Sequence, residues 1–343
     1  LYSMGFPTAS YPFGDRYYNT LRPNGYDPNI KWEETTTWNI GLDFAFLDNR
    51  ISGSFDYYYR ETNDLISRIP VPAGSNLTNE IYTNIGSLRN EGIEFSISSK
   101  PIVTNKFIWD LGFNIAYNSN KITKLNKSND TDYYIPVGGI SGGTGNTVQA
   151  HKVGYPAFSY LLYEQVYDKD GNPIEGLYVD RNGDGVIDEA DKRLYKSRDP
   201  KVVMSFTSRM EYKNFDFGFS LRANLGNYVY DNVQSNNSSY SAIYNSAGYL
   251  NNLISRGTKF QNPQYMSDYY LHNAGFLRCD NITLGYTWNE LAQNKLKLRL
   301  YGAVQNPFVI TKYKGLDPEV FSGIDNNVYP RPVTFLLGVI ITY

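Results

Sequence analysis

One short segment of the chain carries oxygen-bearing side chains at the spacing of a calcium-binding loop. Residues 178–195 read YVDRNGDGVIDEADKRLY. In such a loop the ligands come from positions 1, 3, 5, 7, 9 and 12, and a glycine makes the sharp turn at position 6. Gly185 falls at the turn, and the ligand positions fall on Asp180, Asn182, Asp184, Val186 (through its carbonyl), Asp188 and Asp191. The spacing therefore predicts a Ca²⁺ site.

A second interpretation of this loop stays open, because Asp and Asn side chains also cap their own backbone in Asx turns. Position 12 is Asp191, which is shorter than the bidentate Glu usual there, and the pattern predicts no flanking helices. Both features favour modest affinity, which is sufficient outside the cell, where calcium is near millimolar. We expect any calcium to brace an outer loop and not to regulate the protein.

Other chemistry is sparsely represented. Cys279 is the single cysteine, which excludes a disulfide framework and a thiolate metal cluster. With only His151 and His272, a zinc site or a histidine-based triad is not expected, and both histidines are interpreted as structural or exposed. Asp168 and Asp170 do not by their spacing establish a glycosidase pair. The formal charge of −2 gives no sign of a nucleic-acid partner. The sequence predicts no enzyme.

The elements that must position these residues alternate with a period of two. Apolar residues recur at every second position from Trp38 to Phe46, and again from Ile51 to Tyr59 beyond a turn at Asp48-Asn49. That turn would pair Phe46 with Ile51 and place both apolar sets on one face. Similar alternation marks 93–97, 107–117, 204–212, 215–224, 282–288, 296–300 and 333–343, and a further strand is expected near 157–167. The chain is therefore expected to be all-β.

The alternation fits a soluble β-sandwich or a transmembrane antiparallel β-barrel. Three features favour the barrel: segments of about 10–12 residues, polar faces rich in Gly and Ser, and connections that alternate between very short and very long. The short connections are the turns at Asp48-Asn49 and Lys213-Asn214, and the longest connection runs over 226–274. The 32 tyrosines suit surfaces between water and apolar material.

The alternation of strand direction requires one more strand and implies that half of the barrel lies outside this chain. To keep the acidic loop on the outer side, Thr147–Val153 is predicted to be a further membrane strand that turns at Gly154 into the strand at 157–167. The count becomes about eleven, which leaves residues 1–33 in an outer loop. Since lipid does not tolerate an open sheet edge, the chain is expected to be part of a larger closed barrel.

Segments in the same order along the chain resemble the SusC/RagA group of TonB-dependent outer-membrane transporters of Bacteroidetes. They are NIKWEETTTWNIGLDFAFLDNRISGSFDYYYRETNDLI (29–66), TNIGSLRNEGIEFSI (83–97), YVDRNGDGVIDEADK (178–192), YKNFDFGFSLR (212–222), FLRCDNITLGYTW (276–288) and YKGLDPEV (313–320). The end, LLGVIITY, is similar to a barrel-assembly signal through Gly338, Ile341 and Tyr343, although Leu336 stands where a polar residue is usual.

The resemblance implies that residues 1–343 are the C-terminal part of a 22-stranded barrel, of which they would supply about the last 11 strands. It implies a plug domain and first strands outside this chain, through which TonB-ExbB-ExbD would deliver energy. It also implies a SusD-like surface lipoprotein as partner, a setting in outer-membrane lipid, and an oligosaccharide substrate.

Several alternatives remain open from sequence. The same fold imports peptides or metal chelates; a structural or adhesin barrel, or a soluble calcium-dependent glycan-binding sandwich, would belong to a different class. The Tyr-, Asn- and Ser-rich stretch 227–252 is interpreted either as ligand or lid contact or as a loop packed on itself. The inward charges are expected to bond a plug or to line water; they include Asp43, Asp56, Arg60, Asp110, Arg222 and Arg299.

Overall fold

The computed structural model describes residues 4–125, 132–143, 145–243, 259–291 and 296–343. Nine antiparallel strands form its largest sheet, here called the wall, with edges at the first and last of them. The wall strands are β3 (Glu34–Phe46), β4 (Ile51–Pro70), β5 (Glu80–Val103), β6 (Phe107–Lys124), β13 (Val202–Tyr212), β14 (Phe215–Leu225), β17 (Phe276–Leu291), β18 (Leu296–Thr311) and β20 (Thr334–Thr342).

The register of the first wall hairpin is the one predicted from sequence. Phe46 pairs with Ile51, and Asp48 and Asn49 at the centre of the turn both have positive φ, as in a type I′ turn. The second predicted turn is also confirmed: Tyr212 pairs with Phe215 around Lys213, whose φ is 53°. Asp and Asn tolerate this left-handed conformation better than most residues, which explains the turn at 48–49.

The pairing aligns apolar side chains into rows across one face of the wall. One row runs through Leu42, Phe55, Phe95, Ile115 and Met204 on five successive strands. Large members of this face are open to the surroundings: Ile40 is 74% exposed and Leu337 is 82% exposed. Apolar rows on the outside of a tall antiparallel sheet are the pattern of a lipid-facing barrel surface.

Aromatic residues concentrate on this face near the short turns. Phe107, Tyr212, Phe215 and Tyr286 lie in one cross-strand row. The rings of Phe215 and Tyr286 are 4.6 Å apart, and Trp288 lies 4.6 Å beyond Tyr286. Aromatic girdles of this kind mark the level of the membrane–water interface.

Two wall strands are much longer than the predicted 10–12 residues: β4 has 20 and β5 has 24. They extend past the other strands at the end of the long connections. Residues 24–33 run beside this extension, where Asn84 accepts a hydrogen bond from the Lys31 N–H and donates to the Lys31 carbonyl. The extension is thus supported by its own neighbouring connection.

The long connections fold into a packed unit, here called the outer body. Its strands are β7 (Tyr134–Gly139), β8 (Thr147–Lys152), β9 (Ser159–Leu162), β10 (Gln165–Tyr167), β11 (Pro173–Tyr178), β12 (Arg193–Ser197), β15 (Tyr228–Asp231), β16 (Leu271–Asn273) and β19 (Ile324–Asp325). It also holds the helix α1 (Asn232–Asn237) and the 3-10 turns Glu189–Asp191, Tyr240–Ala242 and Asp268–Tyr270. No helix among the described residues is long and apolar enough to cross a bilayer.

Most of the deeply buried apolar residues belong to the outer body; Phe276 and Cys279 on β17 are the exceptions in the wall among the described residues below 3% exposure. The core of the outer body is formed by Ile140, Val148, Tyr160, Leu162, Tyr230, Phe260, Tyr270 and Ile324. These residues come from three connections that are far apart in sequence, so the connections stabilise one another by burying a shared apolar surface.

The predicted membrane strands at Thr147–Val153 and 157–167 are wrong. Residues 147–152 and 159–162 form β8 and β9 of a four-stranded sheet in the outer body, with the order β12-β9-β8-β7. Val148, Tyr160 and Leu162 are completely buried there, whereas many large apolar residues of the wall, such as Ile40 and Leu337, are exposed. Because β6 pairs directly with β13, residues 125–201 form a single connection, and the acidic loop lies at the outer end without an additional strand.

The assignment of residues 1–33 to an outer loop is also wrong in part. Residues Met4–Phe13 (β1) and Arg16–Pro23 (β2) form an antiparallel hairpin, and Phe13 pairs with Arg16 around a two-residue turn. In the described residues the wall has nine strands, two fewer than the eleven membrane strands predicted, and the hairpin of β1 and β2 forms a sheet of its own.

Candidate functional site

The face of the wall opposite the apolar rows is polar and would line the interior of a closed barrel. One row across seven strands consists of Asp43, Ser54, Ser96, Asn114, Ser205, Arg222 and Arg278. Its hydroxyls and amides bond one another: Ser54 Oγ lies 2.8 Å from Ser96 Oγ, and the Asn114 amide donates to Ser205 Oγ at 3.0 Å. A hydrated solute could pass along such a surface without losing its water to contact with apolar groups.

Where this row reaches β14 and β17, three arginines and three carboxylates form one ion-pair network, here called the arginine cluster. Its members are Arg222, Arg278, Arg331, Asp280, Asp317 and Glu319. Arg222 donates to Glu319 at 2.6 Å, and Arg331 lies 2.7 Å from the other oxygen of Glu319. The cluster joins two wall strands, β14 and β17, to the connection 312–333.

The Arg278–Asp317 pair is the buried centre of the arginine cluster. Its Nη2–Oδ1 distance is 2.7 Å, and the two side chains are only 3% and 4% exposed. Asp317 also accepts a hydrogen bond from the Glu319 N–H at 2.8 Å, which fixes the direction of the chain between the two carboxylates. Charges buried to this degree must remain paired, since an unpaired partner would carry the full desolvation cost.

Burial alone would raise the pKa of Glu319. The hydrogen bond from Arg222, together with the charges of Arg222, Arg331 and Arg278, outweighs burial and holds the pKa of Glu319 below its ordinary value. The Glu319 carboxylate is therefore charged throughout the neutral range and keeps the arginine cluster assembled there.

A β-bulge lets β17 contribute twice to the arginine cluster. Across from β14, Leu221 pairs with Cys279 and Ser220 with Asn281, so Asp280 is the extra residue. Cys279 stays on the apolar face of the wall and is buried. On the polar face, Arg278 donates to the carboxylate of Asp317, and Asp280 accepts from the guanidinium of Arg222. Bulges commonly redirect a side chain in this way.

The connection that carries Asp317 and Glu319 continues into the outer body. Val320 packs on Val229, Ala274 and Tyr313, and Ile324 in β19 pairs in parallel with Tyr230 in β15. The Tyr160 hydroxyl donates to the Gly323 carbonyl at 2.7 Å. The arginine cluster therefore fastens the outer body to the wall.

The predicted calcium residues lie in a loop at the outer end that is held by its own hydrogen bonds. Asp180 accepts from the N–H groups of Gly183 and Gly185 at 2.7 and 2.8 Å. Asp184 accepts from the Val186 N–H at 2.8 Å and from the Asn182 amide at 2.8 Å. These contacts are the Asx turns of the second interpretation, and they occupy one lone pair of each bonded oxygen.

The end of the acidic loop is closed by a capping box. Asp188 accepts from the Ala190 N–H, and Asp191 accepts from the Asp188 N–H at 2.9 Å. The buried Asp191 also accepts from the Arg181 N–H, and these backbone donors lower its pKa. Among the described residues, no group of three or more His, Cys, Asp or Glu is placed to hold a metal ion, so the calcium site remains a prediction from spacing.

The described part of the tyrosine-rich stretch is packed inward. Tyr230 is completely buried, Tyr228 packs against the same core, and Tyr240 is 45% exposed. Asn227 donates to the Ala274 carbonyl at 3.1 Å. This supports the interpretation of a loop packed on itself for residues 227–243, while residues 244–252 lie outside the described residues.

The predicted inward charges have different surroundings. Arg299 pairs with Asp216, and Arg222 belongs to the arginine cluster. Asp110 lies 3.7 Å from Lys100, and Asp56 lies directly opposite Glu94 on the next strand. Both histidines lie near aromatic rings: His151 packs edge-on against Phe158 at 4.6 Å, and His272 lies 6.2 Å from the ring of Tyr313.

Sequence reasoning gave no role to Arg278, Asp280, Asp317 or Glu319, which form most of the arginine cluster. The available signal was the pair of charges at 278 and 280 within an otherwise alternating apolar strand pattern. Two charges flanking Cys279 in a wall strand indicate inward pairing. The partners of Arg278, Asp317 and Glu319, lie about 40 residues further on, whereas the partner of Asp280 is Arg222, 58 residues earlier.

Comparison with known proteins gives consistent results. A family model described as TonB dependent receptor-like, beta-barrel matches residues 2–306. The chain is 54% identical to the TonB-dependent receptor SusC of Bacteroides thetaiotaomicron over 99% of its own length and 35% of that protein's. It is 30% identical to the TonB-dependent receptor P3 of Formosa agariphila, over 91% of this chain and 34% of that one.

A solved structure titled the RagAB peptide transporter has the same fold as this chain. The TM-score is 0.78 at 23% identity, over 99% of this chain and 38% of that one. The chain thus spans about a third of the length of the curated relatives it matches. These relatives are receptors and transporters, not enzymes.

Proposed function

Because the chain belongs to the TonB-dependent receptor-like β-barrel family, whose members are proteins of the bacterial outer membrane, we propose that it is part of an active importer of oligosaccharides. The observation that carries the proposal is the 54% identity to SusC over nearly the whole chain. Energy would come from TonB-ExbB-ExbD through the part of the protein that precedes these residues.

The polar face of the wall supports a passage for neutral, hydrated solutes. The row from Asp43 to Arg278 presents hydroxyls, amides and charges at successive strands. Such groups can exchange hydrogen bonds with sugar hydroxyls as they do with water. The proposed route needs no catalytic group on this chain.

A SusD-like lipoprotein is the proposed partner at the outer end. The outer body supports this part of the proposal, since it is a packed unit with its own buried core and is fastened to the wall by the arginine cluster. A lid that opens and closes would need a firm surface of this kind.

The test uses the full-length protein in cells that lack the chromosomal copy. Uptake of fluorescently labelled neutral oligosaccharides should depend on the protein and should stop when a protonophore removes the energy supply. Uptake that persists with the protonophore would contradict active import. A cell-adhesion defect without an uptake defect would favour the adhesin alternative.

Peptide import is the second candidate function, and the likeness in fold to a protein titled a peptide transporter favours it. The same cells, offered labelled peptides in place of oligosaccharides, distinguish the two. Competition decides further: if oligosaccharides are the cargo, an excess of unlabelled oligosaccharide should block uptake of the labelled sugar, and an excess of unlabelled peptide should not.

We also propose that calcium braces the acidic loop, on the strength of the spacing of Asp180, Asn182, Asp184, Val186, Asp188 and Asp191. Each carboxylate oxygen that accepts a backbone N–H retains a further lone pair, so the Asx turns and a cation are compatible. A bound Ca²⁺ would offset half of the negative charge that four carboxylates bring within twelve residues.

A further inference from the structure

One large aromatic side chain in the outer connections makes almost no contact with the rest of this chain. Phe321 is 92% exposed, although the residue before it, Val320, packs in a buried cluster. Leaving a phenyl ring in water forgoes the burial that stabilises most aromatic residues. A ring kept in this position has its free faces available for a ligand.

The backbone that carries Phe321 is fixed on both sides. Before it, Glu319 is held by Arg222 and Arg331 in the arginine cluster. After it, the Ser322 carbonyl accepts from Gln149 at 3.1 Å, and the Gly323 N–H closes a turn onto the Val320 carbonyl at 3.0 Å.

Gly323 is required in this turn. Its φ is +73°, and a Cβ at this position would lie 2.5 Å from both the Arg198 Cβ and the Tyr160 hydroxyl. The ring of Phe321 is thus presented by a turn that cannot easily rearrange, which lowers the entropy cost of binding to it.

The neighbours of the ring are an arginine and an aspartate. The Arg198 guanidinium lies 5.3 Å from the centre of the Phe321 ring and 3.6 Å from the centre of the Phe158 ring. Arg198 Nε is 3.5 Å from Asp199 Oδ1, and the Asp199 side chain is 57% exposed. An apolar face beside a charged donor and a charged acceptor matches a sugar, which has an apolar ring face and hydroxyls at its edge.

The position of the ring agrees with contact to a solute entering the barrel. Phe321 follows Glu319 by two residues, and Glu319 is bonded to Arg222 on the polar face of the wall. The turn therefore lies where the polar face meets the outer body.

We propose that Phe321 is a substrate-binding residue on which one sugar ring of the imported oligosaccharide stacks, with Arg198 and Asp199 beside it to bond the sugar hydroxyls. This inference rests on the proposed function and adds a named subsite to it. A ring beside Arg198 and Asp199 favours a sugar over a protein surface, which would need a contiguous apolar patch.

The test measures binding by calorimetry to the full-length protein purified in detergent with its co-purifying partner. The probes are linear hexasaccharides of α-1,4-linked glucose, β-1,4-linked glucose and β-1,4-linked mannose. Phe321→Ala should weaken the best-bound probe about tenfold, and Phe321→Tyr should keep affinity within about twofold. Tyr329→Ala is the matched control, because Tyr329 is 86% exposed in the same connection.

Three outcomes would overturn the inference in different ways. If Phe321→Ala binds sugar as the unchanged protein does, Phe321 is not a subsite and the importer proposal stands. If Phe321→Ala instead loses the co-purifying partner, the ring is a protein contact. If the unchanged protein binds no hexasaccharide but binds peptides, the oligosaccharide proposal itself fails.

Discussion

The guanidinium of Arg299 on β18 reaches the carboxylate of Asp216 on β14 by crossing the strand between them. Both hydrogen bonds are short, with Nε–Oδ1 at 2.9 Å and Nη2–Oδ2 at 2.6 Å. The intervening residue on β17 is Gly285, which pairs with Asp216 on one side and Tyr301 on the other. The contact thus ties three wall strands together through a gap that only a glycine leaves open.

Gly285→Ala should destabilise the wall by about 1–3 kcal/mol, because overpacking forces the pair apart. A Cβ at this position would lie 2.5 Å from Asp216 Oδ1 and 2.8 Å from Arg299 Nη2. The measurement is the urea concentration at which half of the full-length protein in detergent is unfolded. Heat-modifiable mobility is the readout of unfolding. Gly302→Ala is the control, since the nearest atom to its Cβ would be 3.9 Å away; equal effects of the two changes would contradict this account.

Asp317→Asn should be costly, because it leaves Arg278 buried beside a neutral partner. Removing one member of a buried ion pair typically costs about 3–5 kcal/mol. Increased hydrogen exchange should appear in the connection 312–333 and in β15, which that connection supports through β19.

The matched control for Asp317→Asn is Glu211→Gln on the wall. Glu211 pairs with Arg209 at 2.8 Å, but their side chains are 41% and 67% exposed. An exposed pair contributes at most about 1 kcal/mol, so exchange in the outer body should not change. A similar response to both substitutions would show that the arginine cluster does not fasten the outer body.

The outer body should lose stability as the pH falls through the range in which the His151 side chain takes up a proton. Burial, and then the charge of Arg198, lower the pKa of His151 below its ordinary value of 6.5. The unfolded segment therefore takes up a proton at a higher pH than the folded one, and the stability present above about pH 6.5 declines as the pH falls towards the lower folded value.

The measurement for His151 is hydrogen exchange in β8 and β9 at about pH 7.5 and about pH 5.5, corrected for intrinsic rates. His151→Asn should remove the dependence, and His272→Asn should leave it in place. A dependence that survives His151→Asn would assign it to another group.

Asp184→Ala should lower the melting temperature more in calcium than in chelator. In chelator only the hydrogen bonds to Val186 and Asn182 are lost, whereas in calcium a ligand is lost as well. Asp170→Ala, in an exposed turn of the same outer body, is the control. Equal losses in calcium and chelator would leave the acidic loop as a set of Asx turns alone.

The sequence by itself determined the wall. The alternation at 38–46 and 51–59 decided which face of each strand is apolar, and the turns at 48–49 and 213–214 decided the register, because both are local properties of the chain. For this reason the hairpins at 48–49 and 213–214 and the antiparallel all-β class are predicted correctly. The outer position of the acidic loop is also correct, but the membrane strand at Thr147–Val153 used to reach it is wrong.

Only the tertiary structure decided what the alternating segment at 147–153 does and where the charges meet. Val148 and Tyr160 are buried against Ile324, a residue of a distant connection, so their apolar character marks a core and not a lipid face. Likewise Arg222 meets Glu319 across 97 residues of chain. Alternation tells which side of a strand is apolar; what covers that side depends on partners that are distant in the sequence and that only folding brings together.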